Sequence, residues 1–330
     1  MGQTAGTAER DVLGDQYTRE TLEMPDDYEG SVVATLVSRV SEGRPSRGAV
    51  LHVHGFCDYF FQTVTADFYA SLGFEFFAVD LRKYGRSLLP HQTPNFCLDL
   101  AEYDADLDAA LALVRERTGH RRVILSGHST GGLVAALWVA KRAADGDEVA
   151  EALVLNSPWL DLAGSFFLRT AGTEAINRVG QRRPYATVPR KITGAYVESL
   201  HRDHHGEWDF DLTWKPLTSF PVKAGWLRAI RAGHRTAHKG LSVPAPILVL
   251  CSTRSSVPEV WSEEVHTVDT VLDVRQIAKW SYQLGDQVTI VRIPGAMHDV
   301  FLSRKEVRED AFDHAQRWLS YARPSEPEKT

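Results

Sequence analysis

The sequence predicts an α/β architecture: a mostly parallel twisted sheet with helices on both faces, carrying one inserted, mostly helical cap. Three observations predict it. Between residues 49 and 156, short apolar runs rich in β-branched residues alternate with stretches of helical periodicity. That rhythm breaks from Ser157 to Gly240 and resumes at Pro246. One junction, Val123 to Gly132, passes from strand to helix through Gly127-His128-Ser129-Thr130-Gly131. The implied division is a core of residues 17–156 and 241–321, a cap over 157–240, and flexible termini at 1–16 and 322–330.

In chain order, Tyr17 to Met24 and Ser31 to Val40 show partial alternation around a Pro-Asp-Asp turn, which reads as two antiparallel strands. Ala49 to Val53 is a strand ending in His54-Gly55. Phe61 to Leu72 is amphipathic and helical, and Phe74 to Asp80 is the next strand. Leu100, Tyr103, Leu107, Leu111 and Val114 recur at helical spacing ahead of the strand at Val123. A buried helix follows Gly132, then a strand from Ala152 to Asn156. Beyond the break come strands at Pro246 to Cys251 and Gln287 to Ile293, and a closing helix from about Glu306 to Tyr321. In such a parallel sheet ligands bind at the carboxyl ends of the strands. His54-Gly55, Asp80, Ser129 and Asn156 all fall on that edge.

Composition narrows the function classes. The 330 residues are 43% hydrophobic and 24% charged with net charge −6, giving no sign of a nucleic-acid partner. No apolar run reaches the length of a membrane span, and Met1 to Gln16 lacks the apolar stretch of a signal peptide. Cys57, Cys97 and Cys251 show no metal or redox spacing and read as reduced thiols of a cytoplasmic protein. No cofactor or metal is expected.

Glycines two positions either side of Ser129 allow a sharp reversal that presents the serine hydroxyl, making Ser129 the candidate nucleophile. Cys57 has no such turn around it. A serine hydroxyl needs a base to take its proton, and the base needs a group to orient it. His298, in the loop after the last strand, is the base candidate. The orienting acid should follow the strand ending at Cys251, yet Ser252 to Ser256 holds no carboxylate. Asp269 is favoured, with Asp273 the alternative as acid or as the N-cap of the following helix. The amides of Thr130, at a helix N-terminus, and Phe56, after His54-Gly55, would form the oxyanion hole. His54 itself reads as a brace for that loop.

With these residues the chain resembles the α/β-hydrolase superfamily. Within it, the likeness is to the cap-bearing serine hydrolases grouped with monoacylglycerol lipases, lysophospholipases and the serine aminopeptidase domain family. His54-Gly55, Asp80 to Ser87, Gly127 to Gly132, Asn156-Ser157-Pro158 and Pro294 to His298 stand in the family's order. Asp269-Thr-Val-Leu-Asp273 resembles its Asp-x-Val-Val-Asp. The resemblance implies ester hydrolysis on a small-molecule substrate, a small or single-chain acyl ester; acyl transfer or thioester cleavage would use the same residues. A ligand-binding protein on this scaffold is the non-enzyme alternative.

The cap segment offers further expectations. Residues 157–240 carry 13 Lys and Arg against 7 Asp and Glu, a solvated face or a surface for transient contact with anionic membrane headgroups. His201 to Glu207 reads as a polar surface turn rather than a metal site. Trp159, Trp208, Trp214, Trp226 and Phe166 to Leu168 line an acyl pocket or pack the cap onto the sheet.

Overall fold

A computed structural model of the chain describes residues 7–40, 43, 46–163, 166–189, 194–258 and 260–322, without the side chains of 166–171. Nine strands among these residues form one sheet in the order β1-β2-β3-β5-β4-β6-β7-β8-β9. β1 (Glu9–Asp11), β2 (Gly14–Asp27) and β3 (Gly30–Arg39) are antiparallel. β3 meets β5 (Glu75–Asp80) antiparallel, and from β5 onward the sheet is parallel through β4 (Ala49–Val53), β6 (Val123–His128), β7 (Ala150–Asn156), β8 (Ile247–Ser252) and β9 (Val288–Ile293).

The eight described α-helices are α1 (Thr63–Ser71), α2 (Tyr103–Thr118), α3 (Thr130–Ala144), α4 (Phe166–Arg182), α5 (Ala195–Glu198), α6 (Ala224–His238), α7 (Val274–Ser281) and α8 (Lys305–Tyr321). They cover both faces of the sheet. Leu51, Val53 and Leu125 pack with Leu107 of α2 and Leu133 of α3. Val50 and Ile124 point the other way, to Tyr69 of α1 and Ala311 of α8. Every residue of β4, β6 and β8 is therefore buried, and these strands read as continuous rather than alternating apolar runs.

Two expectations are corrected here. Part of the start, expected to be flexible, is a strand: β1 pairs with β2, and Asp11 forms a two-pronged ion pair with Arg86 at 2.6 and 2.7 Å. Arg86 also binds Asp80 at the sheet's functional edge. Charged side chains rather than alternation hold β1, so no hydrophobic pattern announces it. The helix expected from Phe61 begins at Thr63, because Phe61 turns away to pack on Phe210.

The insertion leaves the end of β7 and returns to β8, which pairs directly with β7. It therefore leaves at the carboxyl end of β7 and comes back to the start of its parallel neighbour without opening the sheet. α6 carries it, packing on α3 and α4 with Trp226 and Ile230 buried. No helix among the described residues is long and apolar enough to cross a membrane.

Candidate active site

Ser129 sits between β6 and α3 with φ 53° and ψ −116°, a backbone conformation that costs a non-glycine residue about 1–3 kcal/mol. The surroundings impose it. Its N–H donates to the Asn156 carbonyl at 2.9 Å, and its own carbonyl accepts from Gly132 and Trp159 N–H groups at 3.1 and 2.9 Å. A Cβ on Gly131 would lie 2.3 Å from the carbonyl oxygens of both Val53 and His54. Only glycine there lets the start of α3 press against the end of β4. That contact brings Thr130 beside the loop that follows His54.

His298 lies in the loop after β9, only 2% exposed, and its Nδ1 is 3.0 Å from Asp269 Oδ2. Asp269 is wholly buried, and its other oxygen accepts the N–H groups of Val271 and Leu272, each at 2.8 Å. The chain runs out from β8 and back, so that Asp269 bridges Ser255 and its N–H donates to the Arg254 carbonyl at 3.0 Å. The carboxylate thus stands at the end of β8 despite its distance in sequence. Asp273 caps α7 through the Arg275 N–H at 3.0 Å and pairs with the Arg275 side chain.

Ser129, His298, Phe56 and Thr130 all line one cavity of about 350 Å3. His54 braces the Phe56 loop from behind: its Nδ1–H donates to the Gly55 carbonyl at 2.8 Å and its Nε2 accepts the Leu81 N–H at 3.1 Å. Burial pushes its pKa down, which keeps the ring neutral as that pattern requires. Asp80 accepts from Phe60 N–H and from Arg86, and Gly85, at φ 47°, passes where a Cβ would lie 2.4 Å from Tyr59.

Much of the cavity lining is apolar, with Phe56, Trp159, Leu162, Val222, Trp226 and Leu227, and Asp58 and Lys215 also line it. Lys215 Nζ donates to Asp58 Oδ1 at 2.9 Å, both residues buried. Burial opposes ionisation of Asp58, but the Lys215 ammonium and His128 outweigh it and hold the carboxyl well below the usual range. His128 Nδ1 lies 3.5 Å from Asp58 and 4.0 Å from Asp299. Asn156 bridges to Asp299 at 2.6 Å, and Tyr196 meets the His298 ring edge-on at 5.5 Å.

Sequence reasoning overlooked Asp58, His128, Tyr196, Lys215 and Asp299. His128 and Asp299 adjoin the two residues it chose, which is a usable signal. Nothing local marks Lys215 or Tyr196, because the insertion carries no periodicity that points them inward. Trp159 and Trp226 line the cavity, whereas Trp208 bonds the Leu302 carbonyl and Trp214 packs on Tyr59. The side chains of Phe166, Phe167 and Leu168 lie outside the described residues. His201 is buried rather than on the surface, its ring held by the Phe210 carbonyl and the Asp203 N–H. The three cysteines are free and buried.

The family model described as Serine aminopeptidase, S33 matches residues 44–305. No curated protein matches the sequence. Among solved structures, a monoglyceride lipase from Saccharomyces cerevisiae, in complex with a substrate analog, is similar at 16% identity and a TM-score of 0.66. The match covers 92% of this chain and 95% of that one. A carboxyl esterase from Bacillus coagulans is similar at 17% identity and a TM-score of 0.65, over 92% and 98% of the two chains. The Paleococcus ferrophilus monoacylglycerol lipase is similar at 18% identity and 0.63, over 88% and 99%. At these identities the likeness is one of fold.

Proposed function

The chain belongs to the Serine aminopeptidase, S33 family of α/β-hydrolases, and from that premise we propose a serine ester hydrolase acting on a small or single-chain acyl ester. The observation that supports the reading is the 3.0 Å bond from His298 Nδ1–H to Asp269, with His298 and Ser129 lining the same cavity. The apolar walls suit an acyl chain, and residues 157–240 act as the cap over it. Among the described residues the one carboxylate lining the cavity, Asp58, is neutralised by Lys215. No free anion among the described lining residues waits there for a peptide's ammonium group, which favours an ester over an aminopeptidase substrate.

In this reading Ser129 Oγ adds to the ester carbonyl carbon as its proton passes to His298 Nε2. The carbonyl π electrons move to oxygen, which the Phe56 and Thr130 amides stabilise. Collapse breaks the bond to the alcohol oxygen, which leaves with the proton from His298 and yields the acyl-enzyme. Water then adds with His298 again as base, and the acid and free serine result. Asp269 holds Nδ1–H toward itself, leaving Nε2 free to accept, and stabilises the imidazolium.

The test is a p-nitrophenyl ester panel of graded acyl length, run on wild type and Ser129→Ala. Wild type turns over the panel with a preference for chains the cavity accommodates, and Ser129→Ala loses roughly 10⁶-fold in kcat. Hydrolysis surviving in Ser129→Ala refutes the proposal. Added acceptor alcohols show whether water or an alcohol takes the acyl group.

A further inference from the structure

Four consecutive residues of the loop after β4 are each held by the insertion. The Phe56 ring lies against Trp226 with centroids 4.1 Å apart. Cys57 Sγ accepts the Phe220 N–H at 3.4 Å. Asp58 takes the Lys215 ammonium at 2.9 Å, and the Tyr59 hydroxyl accepts the Asp211 N–H at 2.7 Å. The loop is strained at this point: Cys57, between Phe56 and Asp58, has φ 51°, a left-handed conformation that a side chain disfavours. The charged contact is the strongest of the four, made between two buried groups in an environment of low polarity.

We propose that Lys215 is a positioning residue for the oxyanion site: through Asp58 it fixes the strained turn at Cys57, and so the orientation of the Gly55–Phe56 peptide that carries the Phe56 N–H. The inference rests on the proposed serine hydrolase mechanism and adds a role for the insertion within it. The insertion completes the donor pair as well as covering the acyl cavity. Gln62 Nε2 and His128 Nδ1 reach the other oxygen of Asp58 only at 3.4 and 3.5 Å, weak substitutes for the ammonium. Loss of Lys215 leaves the buried Asp58 with only those longer contacts, and the carboxylate must turn toward them or toward water. Such a turn swings the peptide two residues upstream.

The experiment compares wild type, Lys215→Met, Lys215→Arg and Ser129→Ala. It measures kcat and KM on the best ester of the panel, and the affinity for the matching alkyl trifluoromethyl ketone, whose serine adduct carries the oxyanion. A displacement near 1 Å costs on the order of 10²-fold. Lys215→Met should therefore lose about 10- to 100-fold in kcat and weaken the ketone by the same factor, with KM within about twofold. Lys215→Arg should recover part of both. A folded Lys215→Met with unchanged kcat overturns the inference, as does a lower kcat with unchanged ketone affinity. Should Lys215→Met fail to fold, Tyr59→Phe carries the same test, since it removes the neighbouring tie to Asp211; parallel losses support the inference and a selective rise in KM overturns it. Turnover surviving in Ser129→Ala instead overturns the mechanism on which the inference rests.

Discussion

Asp269→Asn is the sharpest test of how the acid acts. One carboxylate oxygen of Asp269 accepts two backbone N–H groups at 2.8 Å, and the other faces His298 Nδ1 at 3.0 Å. An asparagine must keep its carbonyl oxygen on the two N–H donors, because turning it round would oppose donors to donors. Its NH2 group then faces Nδ1 and donates to it. That places the imidazole proton on Nε2, where the ring can no longer take the Ser129 proton. The wrong tautomer, in intact geometry, costs about 10⁴-fold in kcat, or about 5.5 kcal/mol of transition-state stabilisation. The assay is ester hydrolysis at neutral pH with the folded state checked by circular dichroism. Asp273→Asn is the control: asparagine caps a helix as well as aspartate does, and the lost partner Arg275 is exposed, so kcat should stay within a few-fold. An Asp269→Asn variant retaining more than a tenth of wild-type kcat, or an equal loss in Asp273→Asn, would refute the reasoning.

Two further predictions concern the scaffold. Gly131→Ala places a methyl 2.3 Å from two backbone oxygens, where ordinary contact is about 3.3–3.6 Å, so α3 must retreat by about 1 Å. Stability should fall by about 1–3 kcal/mol and kcat by about 10²-fold, while Gly172→Ala, in open space on α4, should leave kcat unchanged; denaturant melts and kinetics on both variants check this. Acid should destabilise the fold early. Burial lowers the pKa of His52 and of His234 to about 3, whereas unfolded histidines titrate near 6.5. Between those values the unfolded chain binds more protons, so stability is lost as pH falls, by up to about 1.4 kcal/mol per pH unit for each ring. Urea midpoints should be flat above pH 7 and drop from about pH 6 to 4; a flat profile through that window contradicts the assignment.

The parallel sheet was legible because its strands are buried on both faces and flanked by helices of clear period. Ser129 was legible because its turn demands glycines at fixed spacing, and His298 because it directly follows a strand. Asp269 was harder: the chain makes an excursion after β8, and only the bridge to Ser255 brings the carboxylate back to the strand end. β1 was invisible because an ion pair, Asp11 with Arg86, holds it in place of apolar alternation. Lys215 was invisible for a different reason. A buried lysine in an irregular segment has no local signature, and its partner Asp58 lies 157 positions away.

The most direct test of the central claim is labelling with an alkyl fluorophosphonate, followed by peptide mapping. One adduct should form, on Ser129, at a rate that falls by at least about 10³-fold in His298→Ala, because phosphonylation needs the same proton transfer to the imidazole. An adduct on any other residue, or labelling of Ser129 at the wild-type rate without His298, would contradict the account.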